Sequence, residues 1–139
     1  MKNFNIFLNF DGNLEKAFDF YKKTFGGEYK IIKKYSEMPH SESLSNEDKE
    51  KVMHCELEIR EGLVLMGCDI LEVWGQSITR GNNFYINITP DSIEEGRTIF
   101  SKLSSGGEVQ MPFQKTFWGS FFGTVTDRFG TQWMIKIED

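Results

Sequence analysis

The first ten residues alternate between two kinds of side chain, and a period of two residues predicts a β-strand with two distinct faces. One face carries Phe4, Ile6, Leu8 and Phe10, and the other carries Asn3, Asn5, Phe7 and Asn9. Asp11-Gly12-Asn13 interrupts this pattern, and apolar residues then recur at helical spacing across Leu14–Phe25. Gly26-Gly27 ends the predicted helix, because glycine readily adopts the backbone conformation that terminates helices.

Further strands complete the first half of the chain. Glu28–Tyr35 predicts a strand, 37–51 predicts a polar loop with one helical turn, and Val52–Ile59 alternates in the manner of another strand. The turn Arg60-Glu61-Gly62 then leads to a short apolar strand at Leu63–Asp69. The first half therefore predicts the element order β-α-β-β-β.

The same order of elements returns in the second half. Leu8-Asn9-Phe10 matches Ile86-Asn87-Ile88 at an offset of 78 residues, and the Gly-Gly-Glu sequence at Gly26 matches the one at Gly106 at an offset of 80. Matching elements at a nearly fixed offset are typical of an internal repeat. The chain therefore predicts the βαβββ unit twice.

A length of 139 residues suits one domain. We predict a single domain, 1–139, of the α+β class. It consists of two βαβββ modules, 1–70 and 82–139, which are joined by a connection at 71–81.

Composition narrows the function classes. Lys and Arg number 16 against 21 Asp and Glu, and the resulting net charge of −5 repels a phosphate backbone. No apolar run approaches the ~20 residues of a membrane span, and no apolar signal segment follows Met1-Lys2. The two cysteines, Cys55 and Cys68, form no disulfide framework. We predict a cytoplasmic protein with free thiols that binds neither nucleic acid nor a membrane.

Aromatic residues make up 14% of the chain, and strand parity divides them into two sets. The set predicted to fill the core between helices and sheet comprises Phe4, Phe10, Phe18, Phe84 and Phe100. The set predicted on the opposite strand faces comprises Phe7, Tyr85, Trp118 and Phe122. We regard the second set as part of a ligand site.

Several motifs carry a resemblance to a known superfamily, and together they cover nearly the whole chain. They are Leu8–Asn13, Ala17–Tyr21, Phe25–Gly27, Val52–His54, Val64–Asp69, Thr116–Gly119 and Asp127–Met134. These segments resemble the vicinal oxygen chelate superfamily of glyoxalase I, bleomycin-resistance proteins and extradiol dioxygenases, and its PhnB-like branch in particular. The resemblance implies that the two modules form a curved mixed sheet with a cleft.

The resemblance also implies where a metal would bind. Members that bind a metal resemble one another in four ligand positions, usually His or Gln, Glu, His and Glu. Carried over by strand parity and by the turn glycines, these positions fall on Asn5, Met66, Asn83 and Met134. Amide oxygens are weak ligands and thioethers are soft ones that favour Cu(I). We therefore predict no cofactor and no metal of the glyoxalase type.

Alternative interpretations of the site concern His54. It is predicted to share a strand face with Glu56, while Cys68 could lie on the adjacent strand. Such a relocated His, Glu and Cys set could bind a divalent metal. Histidine is also the side chain best suited to proton transfer near neutral pH. A third interpretation is a histidine that is only hydrogen-bonded within the cleft lining.

Strand parity directs aromatic, amide and thioether side chains toward the predicted cleft. The predicted lining comprises Asn5, Phe7, Asn9, His54, Glu56, Met66, Cys68, Asn83, Tyr85, Asn87, Trp118, Phe122 and Met134. Such a lining suits a mostly apolar, planar ligand held by a few polar groups. The alternative is that the Phe and Met side chains fill a collapsed groove or a dimer contact.

We predict a PhnB-like protein that binds a small, largely apolar or aromatic molecule without the usual metal. One alternative is a metal-dependent lyase or dioxygenase with ligands around His54, and another is a drug-sequestering, resistance-type binder. The methyltransferase label of this branch is discounted, because Gly26-Gly27 and Gly106-Gly107 end helices rather than opening a site for S-adenosylmethionine. The resemblance also implies a homodimer.

Overall fold

The computed structural model describes residues 1–138. The chain separates into two compact units, Met1–Thr79 and Arg80–Asp139, which we call the N-terminal and C-terminal units. Each unit contains one four-stranded sheet. No helix formed by residues 1–138 is long and apolar enough to cross a membrane.

The N-terminal unit consists of β1, α1, β2, α2, β3 and β4. Their bounds are Ile6–Phe10, Leu14–Phe25, Glu28–Lys34, Asn46–Glu50, Val52–Arg60 and Leu63–Asp69. The strand order is β1-β4-β3-β2, with β1 parallel to β4 and the other neighbours antiparallel. Single 3-10 turns lie at Tyr35–Glu37, Ser41–Ser43 and Glu72–Trp74. The region predicted as a loop with one helical turn, 37–51, therefore holds α2 and additional 3-10 structure.

The C-terminal unit consists of β5, α3, β6, β7 and β8. Their bounds are Ile86–Ile88, Ile93–Ser104, Glu108–Lys115, Ser120–Thr126 and Gln132–Glu138. The strand order is β5-β8-β7-β6, and β5 is parallel to β8. This is the topology of the N-terminal unit, so the predicted α+β class with two βαβββ modules is confirmed. The single-domain boundaries stay a prediction.

Helix α1 lies against one face of the N-terminal sheet because its apolar residues recur on one side. Leu14, Ala17, Phe18 and Tyr21 are buried along that side. Gly67 of β4 permits the close approach, since a Cβ there would lie 2.7 Å from the carbonyl oxygen of Leu8 and 3.0 Å from the ring of Phe18. This contact fixes which face of β4 points toward α1.

The predicted aromatic core is only partly correct. The members that are buried are Phe10, Phe18 and Phe100. Phe4 and Phe84 are 89% and 61% exposed, so their assignment to the core is wrong. Both residues precede the strands, which begin at Ile6 and Ile86. The sequence alternation thus continues beyond the point at which a neighbouring strand pairs.

The carboxylate of Asp69 joins several elements of the N-terminal unit. It lies at the end of β4 and is 2% exposed. Its Oδ1 accepts hydrogen bonds from the backbone N–H groups of Gly12 at 2.9 Å and Leu14 at 3.1 Å. Its Oδ2 accepts from the N–H of Val52 at 2.9 Å. Because the first N–H groups of a helix have no partner inside it, Asp69 caps α1 while it fixes the start of β3.

Tyr35 adds a further bond to the same residue. Its hydroxyl donates to the backbone carbonyl of Asp69 at 2.7 Å. Burial, with a smaller effect of nearby negative groups, raises the pKa of Tyr35 to about 12, so the hydroxyl keeps its proton at neutral pH.

Asp127 organises the turn between β7 and β8. Its Oδ1 accepts from the backbone N–H groups of Phe129 at 2.8 Å and Thr131 at 3.1 Å, and its Oδ2 accepts from the indole Nε1 of Trp133 at 2.8 Å. Gly130 adopts a φ of 90° in this turn. These contacts give the Asp-x-Phe-Gly-x-x-Trp sequence a physical reason: one buried carboxylate binds three donors at fixed spacing.

We expect the Asp69→Asn variant to lower the free energy of unfolding by about 2–4 kcal/mol, because an amide nitrogen cannot accept the hydrogen bonds that one carboxylate oxygen now accepts. Urea unfolding followed by circular dichroism measures the loss. Asp11→Asn, an exposed position before the same helix, serves as the control and should change stability by about 0.5 kcal/mol or less. Equal losses in the two variants would contradict the role of Asp69.

Candidate ligand-binding faces

The sheet face opposite α1 carries most predicted site residues of the N-terminal unit. Gly67 pairs with Cys55, and both belong to the side that packs against α1. Alternate residues along a strand point to opposite faces. The opposite side, which we call the N-terminal open face, includes the predicted site residues Phe7, Asn9, His54, Glu56, Met66 and Cys68, and also Glu58 of β3 and Lys33 of β2.

Strand pairing brings these side chains together. Met66 pairs with Phe7 on one side and with Glu56 on the other, while Asn9 pairs with Cys68. The Phe7 ring stacks on the imidazole of His54, with centroids 5.9 Å apart and planes at 27°. The structure therefore places in one surface six of the seven side chains of this unit that strand parity directed to the cleft; the seventh, Asn5, precedes β1.

His54 and Glu56 form a hydrogen-bonded pair, with 2.7 Å between Nε2 and Oε2. Their side chains are 29% and 23% exposed, so both are half-buried. A neutral imidazole donates its Nε2 proton to this carboxylate and leaves Nδ1 as an acceptor, whereas a protonated imidazole forms an ion pair and makes Nδ1 a donor. The carboxylate thus orients the ring in either state.

Both thiols are held in the protonated form. The Sγ of Cys68 donates to the Oδ1 of Asn9 at 3.4 Å. Burial, and after it the charge of Asp69, raises the pKa of Cys68. Burial raises the pKa of Cys55 to about 12. Neither cysteine is therefore an activated nucleophile at neutral pH.

We expect the rate of Cys68 alkylation by iodoacetamide to keep rising as the pH passes the ordinary thiol value of 9.0, because a raised pKa leaves little thiolate below that pH. Mass spectrometry of the folded protein measures the rate, and Cys68→Ser should remove the modification, since Cys55 is buried. A rate that levels off below about pH 8 would contradict a raised pKa.

The C-terminal unit has a corresponding surface opposite α3, the C-terminal open face. Gly123 of β7 belongs to the α3 side, since a Cβ there would lie 2.8 Å from Phe100. Asn87 pairs with Met134, which in turn pairs with Thr124. The C-terminal open face comprises Tyr85, Asn87, Gln110, Phe122, Thr124, Thr126, Gln132 and Met134.

A network of amide groups ties this face together. The Nε2 of Gln110 donates to Thr126 Oγ1 at 2.7 Å and to Gln132 Oε1 at 3.3 Å. Gln132 Nε2 donates to the carbonyl of Phe84 at 2.6 Å, and the Tyr85 hydroxyl donates to Gln110 Oε1 at 3.4 Å. Sequence parity did not identify Gln110. The register of β6 shifts between Val109 and Met111, and such a bulge breaks the alternation on which parity depends.

Trp118 lies just before β7, which begins at Ser120, rather than within that strand as predicted. Its ring makes an edge contact with Phe117, with centroids 4.9 Å apart, and another with Phe122 at 6.4 Å. Phe117 is 98% exposed. The predicted aromatic residues Trp118 and Phe122 therefore belong to one cluster at the end of the β6–β7 hairpin.

A concavity, the acidic groove, opens beside the start of α1 with a volume of about 730 Å³. It is lined mainly by carboxylates, and its walls are formed by Asp11, Gly12, Glu15, Lys16, Asp19, Glu47, Glu50, Lys51, Asp69 and Glu72. Part of the charge is paired: a hydrogen bond from Lys51 to Asp48 raises the pKa of Lys51. The sequence did not predict this groove, because its residues come from distant segments.

Comparison with known proteins decides the family. The profile of a family described as 3-demethylubiquinone-9 3-methyltransferase matches residues 2–136. Protein YjdN of Escherichia coli (strain K12) is 30% identical over 141 residues, covering 94% of this chain and 92% of YjdN. The chain belongs to the PhnB-like family of the vicinal oxygen chelate superfamily.

Similar solved structures agree with this assignment. Protein PA1353 from Pseudomonas aeruginosa is 31% identical, with a TM-score of 0.86 and coverage of 99% of this chain and 98% of that one. The PhnB protein from Bacillus cereus is 24% identical, with a TM-score of 0.78 and 99% of both chains covered. Glyoxalase/bleomycin resistance/dioxygenase proteins at 15% identity match with TM-scores of 0.63 and 0.59, which shows the shared fold alone.

Strand pairing corrects one position carried over from the superfamily. Met66 and Met134 pair with Phe7 and Asn87, so β1 corresponds to β5 at an offset of 80 residues rather than 78. Asn5 is therefore equivalent to Tyr85 and not to Asn83. Asn83 lies in a bend before β5, and Asn5 precedes β1. The predicted first-strand positions both fall outside the paired strands.

The residues at the superfamily's metal positions do not fit a divalent metal. After the correction they are Asn5, Met66, Tyr85 and Met134, and none supplies a carboxylate or an imidazole. Within residues 1–138, no group of three or more His, Cys, Asp or Glu side chains is arranged to hold a metal ion. In the relocated set, His54 and Glu56 bind each other, while Cys68 binds Asn9.

Proposed function

We propose that this PhnB-like protein binds a small, mostly apolar or aromatic molecule without a metal, and that the N-terminal open face contacts that molecule. The observation that carries the proposal is the stack of Phe7 on His54, with His54 bound to Glu56 at 2.7 Å. A flat apolar ring next to a few oriented polar groups is the usual composition of a small-molecule site.

The exposure of the apolar members supports this proposal. Phe7 is 47% exposed, so its ring still has surface that a ligand would remove from water. Met66 pairs with Phe7, and a flexible thioether adapts to the shape of a flat ligand. Phe122 and Met134 give the C-terminal open face a similar aromatic and thioether character.

We expect 1-naphthalenemethanol, a neutral planar probe, to bind the protein in equilibrium dialysis. Phe7→Ala should weaken this affinity about three- to tenfold, because losing an aromatic stack costs about 0.5–1.5 kcal/mol. The control is Phe117→Ala, which removes an exposed aromatic ring from the other unit and should leave the affinity unchanged. Identical affinities of the wild type and Phe7→Ala would contradict a site on this face.

We expect the purified protein to retain far less than one equivalent of Zn, Ni, Mn or Fe(II) after loading and dialysis, because the donor set suits none of these ions. Plasma mass spectrometry measures the content. Tight one-to-one retention would overturn the metal-independent part of the proposal. Loss of that retention in His54→Ala would then favour the lyase or dioxygenase alternative with ligands relocated around His54.

The His54–Glu56 pair favours a second candidate, an enzyme in which His54 transfers a proton. An oriented imidazole can act as a general acid or base once a ligand reaches its Nδ1. Conversion of a bound molecule by the wild type, with conversion lost but binding kept in His54→Gln, would distinguish this enzyme from a resistance-type protein that only sequesters its ligand.

Methyl transfer is not part of the proposal, although the description of the family names a methyltransferase. Gly26 and Gly106 follow the helices α1 and α3, whereas the glycines of a nucleotide-type site precede a helix.

A homodimer and a cytoplasmic location, which the sequence predicted, belong to the proposal. Light scattering at micromolar concentration measures the oligomeric state.

A further inference from the structure

We infer that the N-terminal open face selects a planar ligand that donates hydrogen bonds and is uncharged or cationic, and that it disfavours an anionic ligand. This inference rests on the function proposed above, because it describes the chemistry of the same site.

The free polar groups of this face are mainly acceptors. His54 occupies the Oε2 of Glu56, whereas the other carboxylate oxygen, Oε1, has no hydrogen-bond partner within residues 1–138. The Nδ1 of a neutral His54 accepts as well. The Oδ1 of Asn9 already accepts from Cys68, which leaves the Nδ2 amide of Asn9 as the hydrogen-bond donor of this face beside these two acceptors. A ligand that donates hydrogen bonds therefore finds partners at Glu56 and His54, next to the ring of Phe7.

The net charge of the His54–Glu56 pair also disfavours an anionic ligand. With a neutral imidazole, His54 and Glu56 together carry one negative charge, and with a protonated imidazole they carry none. Neither state is positive. Because both side chains are half-buried, water and salt screen the carboxylate less than they would at a fully exposed position. An anion placed on the Phe7 ring would therefore meet repulsion, while a cation gains from the carboxylate and from the ring face.

Two basic groups on β2, Lys30 and Lys33, oppose this preference for a neutral or cationic ligand. Lys30 binds the Oε2 of Glu58 at 2.9 Å, and this bond raises the pKa of Lys30. Lys33 pairs with His54 across the strands and is exposed. An exposed ammonium keeps its hydration and contributes little to binding. Lys30 also lies close enough to Glu56 for that charge to raise its pKa further, but its ammonium is already bound to Glu58. Lys33 is therefore the lysine of β2 through which an anionic ligand could most readily defeat the preference.

The test compares three naphthalene probes of similar shape: 1-naphthylmethylamine, 1-naphthalenemethanol and 1-naphthoic acid. Near about pH 7.5 they are a cation, a neutral molecule and an anion. Equilibrium dialysis gives the dissociation constant of each. We expect the amine to bind about tenfold or more tightly than the acid, with the alcohol between them.

Substitutions assign the preference to a residue. Glu56→Gln keeps the shape and removes the charge, and it should bring the amine and the acid to within about threefold of each other. Glu58→Gln is the matched control, because the same change is made two residues along β3 at a carboxylate that Lys30 already binds. Glu58→Gln should leave the ratio of the dissociation constants of the amine and the acid within about twofold of the wild-type value. Lys33→Gln should also leave this ratio within about twofold. Circular dichroism verifies folding, and Glu56→Met serves as a second neutral variant.

The outcomes separate this inference from the proposed function. If the acid binds as tightly as the amine, or if Lys33→Gln abolishes tight binding of the acid, the inference is overturned, while a Phe7-dependent affinity for the alcohol still supports the proposed function. An amine preference that survives Glu56→Gln also overturns it. If no probe binds at up to about 1 mM, or if Phe7→Ala weakens none of them, the proposed function fails together with the inference.

Discussion

The arrangement of the N-terminal sheet depends on the buried carboxylate of Asp69. A carboxylate removed from water is costly unless hydrogen bonds replace its hydration. Here the donors are the backbone N–H groups of Gly12, Leu14 and Val52, which belong to the α1 entrance and the start of β3. The backbone of Ile70 also donates to the carbonyl of Phe10 at 2.7 Å. The ends of β1 and β4, the start of β3 and the first turn of α1 are therefore held at one point.

This junction determines what the opposite face presents. Because the Asp69 side chain points to the α1 side of the sheet, every second residue of β4 points to that side as well. Gly67 therefore faces Phe18, while Met66 and Cys68 face away from α1. A slip of one residue would exchange the two faces and bury these polar and thioether groups. His54 and Glu56 meet Phe7 because β3 and β1 are both paired to a strand whose orientation is fixed in this way.

The sequence was most informative where strands are long and have neighbours on both sides. The alternation within β3 and β4 predicted the membership of the N-terminal open face. It failed at Phe4 and Phe84, because pairing rather than residue type decides where a strand begins. It missed Gln110 because a bulge interrupts β6. The bonds of Asp69 span up to 57 residues, so no local pattern could reveal them, and the offset of 80 between modules required the observed pairing of β5 with β8.

The superfamily's metal positions hold one amide, two thioethers and a phenol in this chain, and these groups determine the local electrostatics as well as the affinity for ions. Hard carboxylate ligands carry charge that a cation must balance, whereas Asn, Met and Tyr are neutral and need no such balance. The N-terminal open face then has two carboxylates of β3, Glu56 with His54 as its direct partner and Glu58 with Lys30 as its partner. Of these two carboxylates, Glu56 binds the imidazole on which the Phe7 ring stacks, so its half-buried charge has the larger influence on a ligand that contacts that ring.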